Sequence, residues 1–129
     1  MDYILVGIGG AAGAILRYAA SRTFNEITQG SFPVGTIVVN VTGAFLLCLL
    51  VGSVVNVGIL IKEVGLALTV GFLGSYTTFS TFSYETVKLI QDGEIAPALS
   101  CVLITVVLGL IAAWLGIQTS IYLSGRGLF

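Results

Sequence analysis

Hydroxyl and phenyl side chains are concentrated in one short segment of the chain, Thr77-Thr78-Phe79-Ser80-Thr81-Phe82-Ser83. Phe79 and Phe82 are three residues apart, so their rings can lie on nearly the same face of a helix. A hydroxyl donates a hydrogen bond, and the edge of a phenyl ring carries the positive lobe of its quadrupole, so both can face an anion. The segment therefore indicates either a path for a small anion or a Ser/Thr-rich packing face with aromatic filler.

A second group of polar side chains interrupts an earlier apolar stretch. Thr36, Asn40 and Gly43 are spaced by four and three residues, which places them on one face of a helix. The amide of Asn40 is costly in hydrocarbon unless it is satisfied. It is therefore expected either to make an interhelical hydrogen bond or to point its NH₂ group into a pore.

A later apolar stretch places Cys101, Thr105 and Gly109 on one face, spaced by four residues. Close helix packing through small residues is the simplest interpretation, and Thr105 is the best candidate here for lining a polar path. Cys48 and Cys101 each lie alone in an apolar run. They are predicted to be small buried hydrophobes rather than a disulfide pair.

Two charged residues stand out near the ends of apolar stretches. Arg17 is either an interfacial arginine that reaches the lipid headgroups or a fixed positive charge in a water-filled vestibule that attracts anions. Glu85 lies about one turn beyond Phe82, near the interface or in the vestibule. Lys88 follows Glu85 at i+3, so an ordinary ion pair on the helix surface is the alternative.

The overall composition excludes several classes of function. The chain has no His, five Lys and Arg, and six Asp and Glu, giving a net charge of −1. His-based triads and imidazole metal sites are therefore excluded, and no basic excess favours nucleic acid. No nucleophile–base pair or phosphate-binding loop is recognisable. We expect a protein that is not an enzyme and that does not bind nucleic acid.

The elements that must position these residues are apolar. The chain has 129 residues, of which 57% are hydrophobic and 9% charged, and its mean hydropathy is +1.09. A soluble domain of this length cannot bury so much apolar surface. A helix needs about 20 mostly apolar residues to cross a membrane. We therefore predict an all-α membrane protein, one domain over residues 1–129, with transmembrane helices at about 3–21, 33–55, 63–89 and 96–122.

The third of these four helices is predicted to be broken near its centre. Gly71, Gly74 and the Ser and Thr residues that follow are poor helix formers. A break would expose backbone groups at membrane depth, where they are tolerated only if they are buried in protein or line a cavity or an ion site. The predicted connections are 22–32, 56–62 and 90–95, with a tight turn at Asp92-Gly93.

The basic residues give almost no signal for orientation. With a cytoplasmic N-terminus, Lys62 and Arg126 lie inside, Arg22 and Lys88 lie outside, and Arg17 is near the end of the first helix. By the positive-inside rule, such a chain is expected to insert both ways and to pair as an antiparallel, dual-topology homodimer. The alternative is a chain that is oriented by its first helix or by a partner subunit.

These segments resemble the signature segments of the CrcB/Fluc family of fluoride channels. The resemblance covers all four predicted helices and is carried by residues 71–85, by Gly35-Thr36-Ile-Val-Val-Asn40-Val-Thr-Gly43 and by Gly13-Ala-Ile-Leu-Arg17-Tyr18. It implies a homodimeric channel of the inner (plasma) membrane that exports fluoride passively from the cytoplasm. Two pores would lie at the interface of inverted subunits, so the expected partners are fluoride, membrane lipid and a second identical subunit.

The resemblance also implies a role for each matched residue. The carbonyls of Gly74 and Thr77, from both subunits, are expected to hold a structural Na⁺ at the centre of the dimer. Arg17 and Glu85 are expected in the vestibule. The residues expected along the fluoride pathway are Asn40, Phe79, Phe82, Ser80, Thr81, Thr36 and Thr105.

The chain departs from the family pattern in the fourth predicted helix. Some family members carry Tyr and Ser where Cys101 and Thr105 align, so one hydroxyl is kept and a phenol is lost. Some bacteria encode two homologues that act as a pair, but every motif is present here, which favours a homodimer.

The alternative function is a small multidrug-type proton-coupled transporter. That class needs a membrane-embedded carboxylate in its first helix, where this chain has Arg17 and no acid beyond Asp2 at the edge.

Overall fold

All regular structure in the part of the chain that is described is helical. The computed structural model describes residues 1–57 and 62–125, with side chains at all of these except 54–57. Arg126 and residues 58–61 of the predicted 56–62 connection lie outside this range. The elements in chain order are α1 (Asp2–Thr28), α2 (Val34–Val57), α3 (Lys62–Leu66), a π-helix (Ala67–Leu73), α4 (Gly74–Tyr76), α5 (Phe79–Gln91) and α6 (Ile95–Leu123).

Three of these helices, α1, α2 and α6, are long and apolar enough to cross a membrane. The prediction of an all-α, multi-pass membrane protein is therefore confirmed. The predicted helices at 33–55 and 96–122 agree with α2 and α6 to within two residues. The predicted helix at 63–89 is instead divided into four helical segments. The longest of them, α5, has 13 residues, or about 20 Å of helix, which is too short to span the membrane by itself.

The first helix extends beyond its predicted end. Residues 22–28 were predicted as part of a connection, but α1 continues to Thr28. Arg22 Nε donates to Glu26 Oε1 at 2.6 Å across one turn, and such i,i+4 pairs stabilise a helix surface. The helix ends where Gln29 adopts the left-handed conformation, with φ 47° and its N–H bonded to Asn25 O. The connection to α2 is therefore only residues 29–33.

The first helix packs backbone against backbone on the π-helix. A Cβ atom at Gly13 would collide with the carbonyl oxygen of Phe72, and a Cβ atom at Gly9 would collide with that of Ala67. From the other side, a Cβ atom at Gly71 would lie 2.6 Å from the carbonyl oxygen of Val6. Because the atoms that would be struck belong to the backbone, glycine is required for this approach, as in small-residue contacts between membrane helices.

The second helix packs against α1, α6 and the π-helix. Val39 is fully buried and forms a small core with Leu73 and Tyr76. The hydroxyl of Tyr76 lies 3.0 Å from that of Thr42, so the phenol is satisfied by the same helix. These contacts fix the rotation of α2, and therefore the direction in which its polar face points.

Two side-chain hydrogen bonds join the loops and helix ends at one end of the bundle. Asn25 Oδ1 accepts from the N–H of Gly35 at 2.8 Å, so α1 caps the first turn of α2. Ser31 Oγ donates to Glu94 Oε2 at 2.8 Å, which ties the α1–α2 connection to the α5–α6 turn. Gly93 has φ +80° in that turn, as expected for the predicted Asp92-Gly93 turn.

Candidate functional site

Two extended residues separate α4 from α5. Thr77 has φ −82° and ψ 154°, and Thr78 has φ −149° and ψ 118°. The helix before them ends at Tyr76, and the helix after them begins at Phe79. Hydrogen bonding between backbone groups four residues apart is therefore interrupted at a position between membrane-capable helices.

The side chain of Asn40 clamps this break from α2. Its Oδ1 accepts from the N–H of Thr78 at 2.7 Å, and its Nδ2 donates to the carbonyl oxygen of Thr78 at 3.0 Å. Of the two alternatives for Asn40, the interhelical hydrogen bond is the one observed. Because an amide NH₂ group carries two donors, one N–H of Asn40 is left over from this pair of bonds.

The break also frees two backbone carbonyls from their usual partners. In a continuous helix, the carbonyl of Gly74 would accept from the N–H of Thr78, and that of Thr77 from the N–H of Thr81. Here the N–H of Thr78 donates to Asn40 and the N–H of Thr81 donates to Thr78 Oγ1, at 3.2 Å. The two carbonyls predicted to hold a cation are thus among those that lose their intrahelical donors at the break.

A groove of about 450 Å³ opens beside the break, between α2, α5 and α6. The rings of Phe79 and Phe82 meet there, with centroids 5.8 Å apart and planes inclined at 46°. Phe79 is 79% exposed. Of the described residues, those that line the groove are all uncharged. They are Asn40, Ala44, Thr77, Thr78, Phe79, Phe82, Thr105, Val106, Gly109, Leu110 and Ala113.

Four of the seven residues predicted along the fluoride pathway lie together in this groove, Asn40, Phe79, Phe82 and Thr105. Thr36, Ser80 and Thr81 are not among its lining. Thr36 is buried further towards the start of α2, Ser80 is exposed, and Thr81 is half-buried in the first turn of α5. The groove therefore brings together the aromatic and amide members of the set, and leaves three hydroxyls outside it.

Among the residues whose side chains the structure describes, three side-chain oxygens are buried without a hydrogen-bond partner, Thr36 Oγ1, Glu85 Oε2 and Thr105 Oγ1. Buried polar atoms are normally paired, so an unpaired one is expected to have a role. Thr36 and Glu85 lie close to each other.

No ion pair joins Glu85 to Lys88. Within residues 1–57 and 62–125, the one side-chain ion pair is Arg22–Glu26, so the surface-pair alternative for Glu85 is not observed.

Arg17 and Cys101 occupy contrasting places. Arg17 is half-buried on α1 and takes part in no ion pair within the described part of the chain. Cys101 is fully buried, and its sulfur accepts from Thr86 Oγ1 at 3.8 Å. The prediction of a small buried thiol at this position is confirmed, since Cys101 is a free cysteine.

Sequence reasoning missed Thr78. Its hydroxyl caps α5 by accepting from the N–H of Thr81, and its backbone is held by Asn40. A Thr immediately before a predicted helix is a known signal for an N-cap, so the role was open to prediction once the break had been placed. Thr77 also lines the groove, where only its carbonyl had been expected to act.

Comparison with known proteins identifies relatives over nearly the whole chain. A protein-family sequence model described as "CrcB-like protein, Camphor Resistance (CrcB)" matches residues 4–117. A Moorella thermoacetica protein named fluoride-specific ion channel FluC 2 is 48% identical over 90% of this chain and 93% of its own. A Geobacter sulfurreducens protein named fluoride-specific ion channel FluC is 42% identical over 91% of this chain and 94% of its own.

A more distant relative covers the chain more fully. A Thermotoga petrophila protein, also named fluoride-specific ion channel FluC, is 39% identical over 98% of this chain and 96% of its own length. These relatives carry the name of an ion channel and not of an enzyme, in agreement with the absence of a recognisable catalytic motif. The family match and the identities show that the chain belongs to the CrcB family.

Proposed function

We propose that this protein is a passive, fluoride-selective ion channel. The observation that carries the proposal is the groove beside the break, which is lined by neutral hydrogen-bond donors and phenyl rings. Its relatives over most of the chain are named fluoride-specific ion channels. The proposed direction is export of fluoride from the cytoplasm down its gradient.

The groove has the chemistry to exchange water for a small anion. Thr105 Oγ1 is buried without a partner, Asn40 keeps one N–H after clamping Thr78, and the tilted rings of Phe79 and Phe82 present edges. Each of these groups attracts an anion weakly. A path built from them allows fluoride to bind and then to leave, as conduction requires, whereas a fixed positive charge in the groove would hold it.

A second, inverted copy of the chain is proposed to cover this groove. Polar groups at membrane depth do not face lipid, because their hydrogen bonds would be lost there. The groove is open on one side, where Phe79 is exposed, and its lining includes the polar side chains of Asn40, Thr77 and Thr105. In an antiparallel dimer each groove is enclosed, which yields two fluoride paths. Each subunit would then contribute four spans, the third built from residues 62–91.

The carbonyls of Gly74 and Thr77 are proposed to hold a Na⁺ at the centre of this dimer. Both lose their intrahelical donors at the break, and uncharged carbonyl oxygens freed by a broken helix are typical ligands for Na⁺ in membrane proteins. Gly74 lies at the exposed surface of the single chain, as a shared site requires. The bound cation would supply a fixed positive charge and a link between the two subunits.

The remaining expected residues are proposed to line the approach to the groove. Arg17 and Glu85 would form the vestibule, and Thr36, Ser80 and Thr81 would continue the polar track. Thr36 and Glu85 lie close together, and each has a buried side-chain oxygen, which supports this placement.

Proton-coupled drug transport is not supported. The acids of α1 are Asp2 and Glu26, both are exposed, and Glu26 is paired with Arg22. Both lie near the ends of α1 rather than near its centre, and the relatives carry the name of a fluoride channel.

Anion efflux from liposomes tests the proposed function. Purified protein is reconstituted into vesicles loaded with equal concentrations of fluoride and chloride, with valinomycin present to balance charge, and both anions are followed with selective electrodes. Fluoride is expected to leave rapidly while chloride is retained. Comparable release of both anions would refute the selectivity, and release of neither would refute the channel. Crosslinking between single cysteines placed at opposite ends of α6 tests whether the subunits are inverted.

A further inference from the structure

Several hydroxyl groups within the helices of this protein give their proton to the backbone, whereas those of Thr36 and Thr105 have no hydrogen-bond partner among the described residues. In each of these bonds to the backbone, the side-chain oxygen donates to the carbonyl four residues earlier, at 2.7 to 2.9 Å. A hydroxyl has one proton, so a residue bonded in this way has none left for an anion. The residues concerned are Thr42, Ser53, Thr69, Ser83 and Thr119.

Thr81 is bonded differently because it lies in the first turn after the break. Its Oγ1 accepts a hydrogen bond from Thr78 Oγ1 at 3.0 Å. Thr78 Oγ1 accepts in turn from the N–H of Thr81 at 3.2 Å. The single proton of Thr78 is thus committed to Thr81, and the proton of Thr81 is not used in this pair.

We infer that Thr78 is a positioning residue that orients the Thr81 hydroxyl as a hydrogen-bond donor to the permeating fluoride. The inference rests on the proposed channel function and adds to it a residue that acts through another. A hydroxyl that accepts a hydrogen bond is polarised and becomes a stronger donor. The Thr78 hydroxyl is well suited to this task, because Thr78 is only 7% exposed and its backbone is clamped by Asn40.

Ser83 provides the internal contrast. It lies only two residues beyond Thr81, yet its Oγ donates to the carbonyl of Phe79 at 2.9 Å. One turn of intact helix therefore separates a hydroxyl that is free to serve an anion from one that is not. The break matters for conduction because it removes the carbonyl that would otherwise take the Thr81 proton.

A double-mutant cycle on Thr78 and Thr81 tests the inference. Fluoride efflux is measured for wild type, Thr78→Val, Thr81→Val and the double variant, each in vesicles at equal protein density, and the melting temperature of each is measured in detergent. Thr81→Val loses a hydrogen bond to a charged group, so its flux is expected to fall about tenfold or more. Thr78→Val leaves the Thr81 hydroxyl without its orienting partner and is expected to lower flux as well. The double variant is expected to conduct like Thr81→Val alone, since Thr78 acts only through Thr81. Thr78→Ser keeps the hydroxyl and is expected to restore most of the flux, and Ser83→Ala is the control that leaves flux unchanged.

The outcomes separate the inference from the proposed function. If the wild type releases no fluoride, the channel function itself fails. If the wild type conducts but the two losses multiply in the double variant, or Thr78→Val conducts normally, Thr78 has no role through Thr81. If Thr78→Val does not assemble, Thr78→Gly replaces it, because glycine is tolerated at an N-cap, has no hydroxyl and adds no charge to the groove. Flux at the level of Thr81→Val then supports the inference, and flux near that of wild type overturns it.

Discussion

Residues 62–91 depart from α-helical geometry at two places, and the two departures are made by different means. At the π-helix the chain widens by a turn that keeps its own backbone hydrogen bonds, and glycines let α1 approach it closely. At Thr77 and Thr78 the chain is extended, and the side chain of Asn40 supplies hydrogen-bond partners to the backbone of Thr78. At the first departure the backbone hydrogen bonds stay within the segment, whereas at the second they depend on a side chain from another helix.

This difference separates a structural junction from the one beside which the fluoride path is proposed. Around the π-helix the contacts are steric, between backbone atoms and small residues. Around the break, carbonyls and hydroxyls lose the partners that a continuous helix would provide, and a groove opens beside them. Substitutions at the first place should therefore act on folding, and substitutions at the second on fluoride flux.

The largest effect is expected for Gly13→Ala. The added Cβ would collide with the carbonyl oxygen of Phe72. Because this oxygen belongs to the backbone, it cannot move away by a change of side-chain rotamer. Overpacking of this kind typically costs about 1–3 kcal/mol and more where backbones must separate, so we expect little or no folded protein. Yield and monodispersity on size-exclusion chromatography measure this. Gly7→Ala is the matched control on the same helix, since nothing lies within 4 Å of its Cβ position. Equal yields of the two variants would contradict the close approach of α1 and the π-helix.

Asn40→Ala is expected to affect both folding and flux. It removes both hydrogen bonds that hold Thr78 and leaves buried backbone groups unpaired, a loss of about 2–4 kcal/mol. Asn40→Asp keeps the acceptor for the N–H of Thr78 but turns a carboxylate oxygen towards its carbonyl and adds negative charge to the groove. Both variants should lose fluoride efflux in liposomes, and Asn40→Ala should also melt at a lower temperature than wild type. A fully active Asn40→Ala channel would show that the break needs no clamp.

Phe82→Ile is expected to reduce flux while leaving the fold intact. Methyl groups replace ring edges along the proposed ion path, and a loss of about 0.5–1.5 kcal/mol there corresponds to a flux lower by about two- to tenfold. The melting temperature should change little, because Phe82 is only half-buried. Phe24→Ile on α1, outside the groove, is the control and should conduct like wild type. Equal flux in the two variants would remove the phenyl rings from the path.

Gly109→Ala is expected to have the smallest effect and sharpens the contrast with Gly13. Gly109 lines the groove, and nothing lies within 4 Å of its Cβ position. Replacing glycine by alanine inside a helix stabilises it by about 0.5–1 kcal/mol, so the melting temperature should rise slightly. The methyl group narrows the groove and should lower fluoride flux by about twofold. A destabilised Gly109→Ala protein would mean that the groove is already filled.

The class of protein and the placement of α2 and α6 were predictable, because long apolar runs are dictated by bilayer thickness. The end of α1 was not, because its last turns are polar and are held by the Arg22–Glu26 pair rather than by hydropathy. The residue types of the site were also predictable, since amide, hydroxyl and phenyl groups are unusual at membrane depth. The hydrogen bonds of these groups were not predictable. Asn40 was expected either to make an interhelical hydrogen bond or to point into a pore, whereas it is hydrogen-bonded to Thr78 and also lines the groove.

Composition and spacing alone thus determined that this chain is a helical membrane protein. They also determined that its polar groups are mainly uncharged hydrogen-bond donors and that it has no recognisable catalytic motif. Local patterns suffice for that, since hydropathy and side-chain type are read one residue at a time. Only the tertiary structure decided which hydroxyl protons and carbonyls are free. The two hydrogen bonds between Thr78 and Asn40, 38 residues away in the sequence, change what Gly74, Thr77 and Thr81 can offer to an ion. No local pattern encodes that partner.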